Sequence, residues 1–267
     1  MIVNILAITG AGLSVGSGLP TYRGAQGRYT ALEAEYGLPV EKIVSVDTLR
    51  NRPELLWKYW LAMHANYAQA TPSIGHYALK RLSEAAGEYM EVTQNVDGLS
   101  LKAGVDRKNV IELHGSALRY VCQKCGYVHQ LGLSPEMAIP PRCYRCRDPE
   151  NALIRPDVVM FGENVNEDNL FRAIDYAAKT DLVIITGTTL GFYYLIAILA
   201  TAVEAGAKVI YIDPEADREH PMFYAAADHE KVIKATTAIR STADEALCRL
   251  VPALIEGDRA TLAEFGL

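Results

Sequence analysis

The chain has 267 residues, half of them apolar, with 26 basic against 32 acidic side chains and a net charge of −6. This length suits one large domain, or one domain carrying a smaller inserted unit. The acidic balance, with no block of like charge, argues against direct nucleic-acid binding, and the lack of an apolar run of about eighteen residues argues against a membrane span.

The first element in chain order is an apolar strand over Ile2–Thr9. No basic leader or cleavage site precedes it, so we expect no targeting segment and a cytoplasmic location. The loop Gly10-Ala11-Gly12-Leu13-Ser14-Val15-Gly16-Ser17-Gly18 follows at once and continues through Thr21-Tyr22-Arg23 to Gly24. Glycines after a buried strand let backbone N–H groups approach a phosphate, and a helix N-terminus adds its positive end. By itself, Gly10-Ala11-Gly12 suits a cofactor loop and a plain tight turn equally, because the third glycine of the dehydrogenase fingerprint is not at its usual place.

Residues 25–70 read as an insertion: an irregular stretch broken by Gly27, Gly37 and Pro39, then a helix from Pro53 to Gln69. A second helix runs from about Ser73 to Ala86. Strands are predicted over Tyr89–Thr93, ending at Gln94-Asn95-Val96-Asp97-Gly98, and over Val110–Leu113, ending at His114-Gly115-Ser116. Residues 117–151 are proline-rich and hold Cys122, Cys125, Cys143 and Cys146. The α/β pattern then resumes, with strands over Val158–Phe161, Asp181–Thr186 (ending at Gly187-Thr188-Thr189) and Lys208–Ile212 (ending at Asp213). Helices are expected over Glu167–Lys179, Leu195–Ala205 and about Thr242–Leu250, the last stopping before Pro252. The predicted architecture is an α/β, Rossmann-like, doubly wound parallel sheet formed by residues 1–24, 71–116 and 152–267. It carries the helical insertion 25–70 and a metal module at 117–151.

Two Cys-x-x-Cys knuckles separated by seventeen residues match a four-thiolate zinc ribbon. Four thiolates leave zinc no open position, so the predicted metal is structural. The polar strand ends should line one crevice outside the sheet's carboxyl edge. Asp213 there suits ribose hydroxyls or a simple turn before Pro214. His114 suits either a structural histidine or a base that works near neutral pH.

These blocks, in this order, resemble those of the sirtuins, NAD-dependent protein-lysine deacylases. The matching stretches are the Gly10–Gly24 loop, Thr93–Leu99, His114-Gly115, the cysteine quartet, Gly187–Leu190 and Arg155–Glu163. The resemblance implies that NAD is consumed as co-substrate. It would be held by Gly10, Ala11, Gly12, Ser14, Ser17, Gly18, Tyr22, Arg23, Gln94, Asn95, Asp97, Gly187, Thr188, Thr189 and Asp213. It implies that Asn95 and Asp97 serve the nicotinamide pocket, that Tyr22 covers the reacting ribose, and that His114 is the general base, with Asn95 the other catalytic residue. An acylated-lysine protein would lie as an added strand beside Val158–Phe161, with Val159, Phe161, Gly162, Glu163 and Phe192 forming its groove. The products would be nicotinamide, acyl-ADP-ribose and free lysine.

Three departures sharpen the expectation. Thr21-Tyr22-Arg23 resembles the bacterial and mitochondrial branch that includes desuccinylases. The Tyr-x-x-Arg pair with which that branch reads acidic acyl groups is replaced by Trp60 and Met63, so an apolar acyl group is expected. Phe192-Tyr193-Tyr194 replaces a Val-x-Pro segment and either narrows the groove or fills core. Asp213, where many sirtuins have asparagine, should repel a 2′-phosphate and favour NAD over NADP. Mono-ADP-ribosyl transfer or NAD hydrolysis at the same site, and a non-catalytic NAD-sensing protein, are the competing readings.

Overall fold

The computed structural model describes residues 3–21, 35, 37–134 and 136–267. Tyr22 and Arg23 lie outside the described residues. The described strands are β1 (Asn4–Thr9), β2 (Glu88–Thr93), β3 (Val110–Glu112), β4 (Gly115–Cys122), β5 (Val128–His129), β6 (Ile154–Val158), β7 (Leu182–Thr186), β8 (Lys208–Ile212) and β9 (Thr236–Ile239). Six of them form a parallel sheet in the order β3-β2-β1-β7-β8-β9. The chain winds outward in both directions from β1 and β7, so the switch point lies between these two strands.

Alternation along each strand explains the layers. Helices α1 (Pro53–Gln69) and α2 (Ile74–Ala85) precede β2, and α3 (Glu167–Ala177) and α4 (Tyr193–Glu204) flank β7. Leu6, Ile8, Val183, Ile185 and Val209 point to one face of the sheet and pack on α3 and α4. Ile5, Ala7, Ile184, Ile210 and Ile212 point to the other face, against α2 and α5 (Ala243–Glu256). Both faces are covered, which is why β1, β7 and β8 are near-continuous apolar runs. No described helix is long and apolar enough to cross a membrane.

The second core joins the two insertions. Leu56, Trp57 and Trp60 of α1 pack with Tyr120, Cys122, Cys143 and Ile154. Trp57 donates from Nε1 to the Ile154 carbonyl at 3.0 Å and stacks on Tyr120 with centroids 5.8 Å apart. The small antiparallel sheet β5-β4-β6 carries this lobe.

Two expectations change here. The stretch expected as a strand over Val158–Phe161 is not a strand of the large sheet. β6 ends at Val158 and pairs antiparallel with β4 at the edge of the small sheet, a position that tolerates Pro156, which has no N–H. The helix expected to end before Pro252, which a further short helix (Arg259–Glu264) follows, runs through that proline to Glu256. Leu250 and Val251 are buried there, and Leu254 packs beside them. Each buried aliphatic side chain contributes about 1.5–3 kcal/mol, which offsets the roughly 3 kcal/mol cost of an interior proline. β9, a four-residue edge strand of sequence TTAI, has too little apolar alternation to read from sequence.

The four paired cysteines converge. Their sulfurs all lie within 4.8 Å of one another, with Cys122–Cys146 at 3.7 Å and Cys125–Cys143 at 3.8 Å. A tetrahedron with zinc–sulfur bonds of about 2.3 Å has edges of about 3.8 Å, so the donor set fits a structural zinc ion. His129 Nε2 lies 3.2 Å from Cys143 Sγ, placed to steady a thiolate. Cys122 ends the strand that begins beside His114; at about 3.3 Å per residue, the two ends of β4 are on the order of 20 Å apart.

Glu91 is a fully buried carboxyl on β2, one strand in from the β3 edge of the large sheet. Its Oε1 accepts from Thr9 Oγ1 at 2.9 Å and Ser100 Oγ at 2.7 Å. Burial outweighs these two bonds and raises its pKa to about 6.

Two outcomes are expected. Chelation of the metal should speed amide exchange across 117–151 while leaving the parallel sheet protected, because metal binding and folding are coupled in such modules; uniform loss of protection across both lobes would contradict this division. For Glu91, the folded protein holds a proton that the unfolded chain releases near its ordinary pKa, so stability falls as pH rises from about 4.5 to 6. Glu91→Gln should therefore gain about 2 kcal/mol over wild type above pH 6 relative to its difference at pH 4. Urea unfolding at both pH values would show no such change if the carboxyl titrates normally.

Candidate functional site

At the switch point the loops after β1 and β7 press together. The Gly10 N–H donates to Thr186 O at 3.1 Å and the Gly12 N–H to Gly187 O at 2.9 Å. A Cβ on Gly10 would meet Gly187 O at 2.6 Å, and one on Gly12 would meet the Gly187 Cα at 2.5 Å. Gly187 itself has φ +64. The first role of these glycines is therefore the close approach of two loops. Asp244 of α5 supports the same turn: its Oδ1 accepts from Ser73 Oγ at 2.7 Å and the Gly75 N–H at 2.8 Å, and Gly16 leaves it room.

A cavity of about 1150 Å³ opens over this junction. It exceeds the roughly 300–1,000 Å³ of a pocket for a drug-sized ligand. It runs from Asp213, past Gly10-Ala11-Gly12 and Gly187-Thr188-Thr189, to Asn95, His114 and the segment Val158–Glu163. An elongated space floored by glycines at a switch point fits a dinucleotide. Asp213 Oδ1 caps the Glu215 N–H at 3.0 Å, and burial raises the pKa of this carboxyl.

The polar strand ends form one network. Asn95 Nδ2 donates to Gly10 O at 2.9 Å and to Ser14 Oγ at 3.3 Å; the Ser14 hydroxyl donates to Asp97 Oδ2 at 2.7 Å; Asp97 Oδ1 accepts from the Leu99 N–H at 2.9 Å. Gln94 Nε2 donates to Thr188 Oγ1 at 2.7 Å. Ser14, Asn95 and Asp97 are buried, so the network is rigid before any ligand arrives. Ser17 Oγ is buried with no partner among the described residues, and Gly18 closes the turn at φ +79.

His114 lines the same cavity beside this network. Its Nδ1 lies 3.1 Å from the Gln94 carbonyl, which can only accept, so Nδ1 carries the proton and Nε2 the lone pair. Burial lowers its pKa to about 4 against the opposing pull of that carbonyl, so the imidazole is neutral at pH 7. Nε2 meets the Tyr194 hydroxyl, a contact that the sequence did not announce.

The expected substrate residues divide. Trp60 lines the cavity, whereas Met63 packs in the second core. Tyr59 and Tyr67 join Trp60 at the wall; their helical spacing was visible in the sequence. The backbone from Val158 to Phe161 is already engaged. The Val159 N–H donates to His114 O, Met160 N–H to Glu163 Oε2, Phe161 N–H to Val44 O, and Phe161 O accepts from Val46 N–H. Glu163 is clamped by Arg155, one arm at 2.8 Å, so its carboxylate shapes this turn. Gly162, at φ +92, is the first position past the engaged stretch. Phe192 lines the opposite wall.

Residues 10–193 match the model of the Sir2 family. The chain is 34% identical over 242 residues to a protein of Aquifex aeolicus named NAD-dependent protein deacylase, covering 91% of this chain and 95% of that one. It is 37% identical over 215 residues to the NAD-dependent protein deacylase 2 of Pseudomonas aeruginosa, covering 79% and 81%. Among solved structures, a Sir2 homolog–NAD complex superposes with a TM-score of 0.79 at 29% identity, covering 95% of this chain and 90% of that one. A Sir2 complex with 2′-O-acetyl-ADP-ribose, an inhibitor and a deacetylated p53 peptide superposes at 0.71 with 25% identity, covering 96% and 94%. With its switch-point crevice, neutral histidine and four-cysteine module in place, this chain belongs to the Sir2 family.

Proposed function

We propose that this protein removes acyl groups from lysine side chains of proteins, with NAD as the consumed co-substrate. The observation that carries the reading is His114: a neutral base of defined tautomer, in a cavity that also holds the glycine junction and reaches the β6 edge. The names of the relatives in Aquifex and Pseudomonas, and the ligands of the solved Sir2 complexes, support it. When bound, NAD supplies an electrophilic ribosyl carbon and nicotinamide as leaving group.

The chain's residues provide position and one base. Ala11, Gly12, Thr188 and Thr189 would flank the phosphates, and Asp213 would take ribose hydroxyls. The buried Ser14–Asn95–Asp97 network would orient the nicotinamide end without reorganising. His114 Nε2 would receive a hydroxyl proton, and the Gln94 carbonyl would stabilise the resulting cation through Nδ1–H. We place the acylated peptide beside Gly162 and the 189–192 segment, one residue beyond the stretch expected from sequence, because Val158–Phe161 and the Glu163 N–H already have partners.

The acyl group would enter between Trp60, Val40, Val44 and Phe161. Among the described residues, no lysine or arginine lines the cavity, while Glu163, Glu167, Asp213, Glu215 and Asp244 do. A carboxylate on the acyl chain would thus meet apolar walls with no cation to pair with among the described lining residues, and its burial without a partner is costly.

His114→Ala should lower acyl-peptide turnover by about 10²–10⁴-fold with NAD affinity little changed. In the wild type, kcat/KM should show no acidic limb near 6.5, because the free-enzyme imidazole stays neutral down to about pH 4; a limb at 6.5 would place the base in ordinary solvent. A panel of acetyl, longer alkyl and succinyl peptides should rank succinyl last. Rapid succinyl removal would require a cation at the acyl site and contradict the apolar assignment. Mass spectrometry of the same reactions separates deacylation, which yields acyl-ADP-ribose, from transfer of ADP-ribose to the protein acceptor.

A further inference from the structure

The Tyr194 hydroxyl lies 2.5 Å from His114 Nε2. Nδ1 holds its proton for the Gln94 carbonyl, so Nε2 is the acceptor and the phenol is the donor. The lone pair that the proposed reaction needs is therefore already occupied, by a residue of this chain.

The arrangement is built. Phe192 and Tyr194 stack with centroids 5.2 Å apart and planes 9° apart, and His114 presents its edge to both, at 5.2 and 6.0 Å. The chain reaches this point through a tight reversal, with Leu190 at φ +51 and the Phe192 N–H donating to Leu190 O at 2.8 Å. Tyr194 sits in the first turn of α4, directly before the buried Leu195 and Ile196. Its backbone is anchored, and its ring cannot swing away without losing both aromatic contacts. Tyr194, Phe192 and His114 all line the one cavity.

We propose that Tyr194 is a second catalytic residue, a proton relay between the substrate hydroxyl and His114. This rests on the deacylase reading above. In the step, the substrate O–H bond breaks as an O–H bond forms on Tyr194 Oη. The original Oη–H bond breaks as a bond forms at His114 Nε2. The phenol is regenerated, the imidazole becomes a cation held by the Gln94 carbonyl, and the substrate oxygen is free to bond to the acyl carbon. No phenolate is required, which suits a buried phenol whose ionisation is strongly disfavoured.

The test uses the full chain with Tyr194→Phe, which keeps the ring and its stacking. Cleavage of the nicotinamide bond requires no hydroxyl deprotonation, so the variant should retain nicotinamide exchange into NAD while acyl transfer falls at least about tenfold. His114→Ala combined with it should be little worse than His114→Ala alone, because the two groups act as a unit. A second readout needs no ligand. In ¹⁵N spectra of the imidazole, Tyr194→Phe should shift His114 Nε2 and leave Nδ1 in place. Acyl-peptide turnover by Tyr194→Phe at or above the wild-type rate would overturn the relay and make the phenol a plug that ligands displace. An unmoved Nε2 resonance would overturn the phenol–imidazole bond itself. Absence of deacylated peptide with the wild-type protein would instead overturn the functional reading, and the relay with it; failure of the relay alone leaves wild-type turnover intact.

Discussion

The junction of Gly10 and Gly12 with Gly187 is the contact on which the rest of the site depends. Parallel neighbours β1 and β7 end side by side, and their loops must leave in opposite directions. They do so while touching backbone to backbone, at distances where one Cβ would collide. The N–H groups of both glycines bond across the junction. Closing the floor in this way holds Asn95, through Gly10 O, and Thr188, through Gln94, at fixed distances from each other. The glycines thus act on ligand binding chiefly by letting two loops share one surface.

Above that floor, the cavity wall comes from elements that are far apart in the chain. α1 and the four-cysteine module fuse into one apolar core through Trp57, Tyr120 and Ile154. The metal module is therefore coupled to the cavity wall, since Trp60, which lines it, belongs to the same helix and cluster as Trp57. A structural zinc ion can influence substrate binding in this way while remaining remote from the reacting atoms. β4 makes the connection physical: it leaves His114 at one end and delivers Cys122 to the metal at the other.

The electrostatics of the site are set by burial. His114 is kept neutral by its surroundings and not by a neighbouring cation. Tyr194, already a neutral phenol at pH 7, is made harder still to ionise by the same burial. A neutral base touching a neutral phenol, with a carbonyl behind the base, can move a proton without separating charge over a long distance.

Much of this was written in the residues themselves. The apolar runs of β1, β7 and β8, the polar tips that follow them and the spacing of the four cysteines are local patterns, and local patterns follow from backbone geometry and burial period. They were enough for the parallel sheet and the metal module, and they marked Gln94, Asn95 and His114, which line one cavity, while Asp97 lies behind that wall and reaches it through Ser14 and Asn95. Other features depended on contacts between distant segments. Whether Val158–Phe161 joined the large or the small sheet turned on pairing with β4, and whether α5 passed Pro252 turned on burial against the sheet. That Glu163 would be held by Arg155, and that Met63 would turn toward the core while Tyr59 and Tyr67 turned toward the cavity, followed from how α1 docks. The same holds for Tyr194. Its place in the sequence shows only a third aromatic after a glycine, and only the packing of α4 beside the end of β3 brings its hydroxyl to the lone pair of His114. Periodicity and spacing describe a residue's own element; which atom it faces across a cavity is decided by the docking of elements, which no single stretch of sequence encodes.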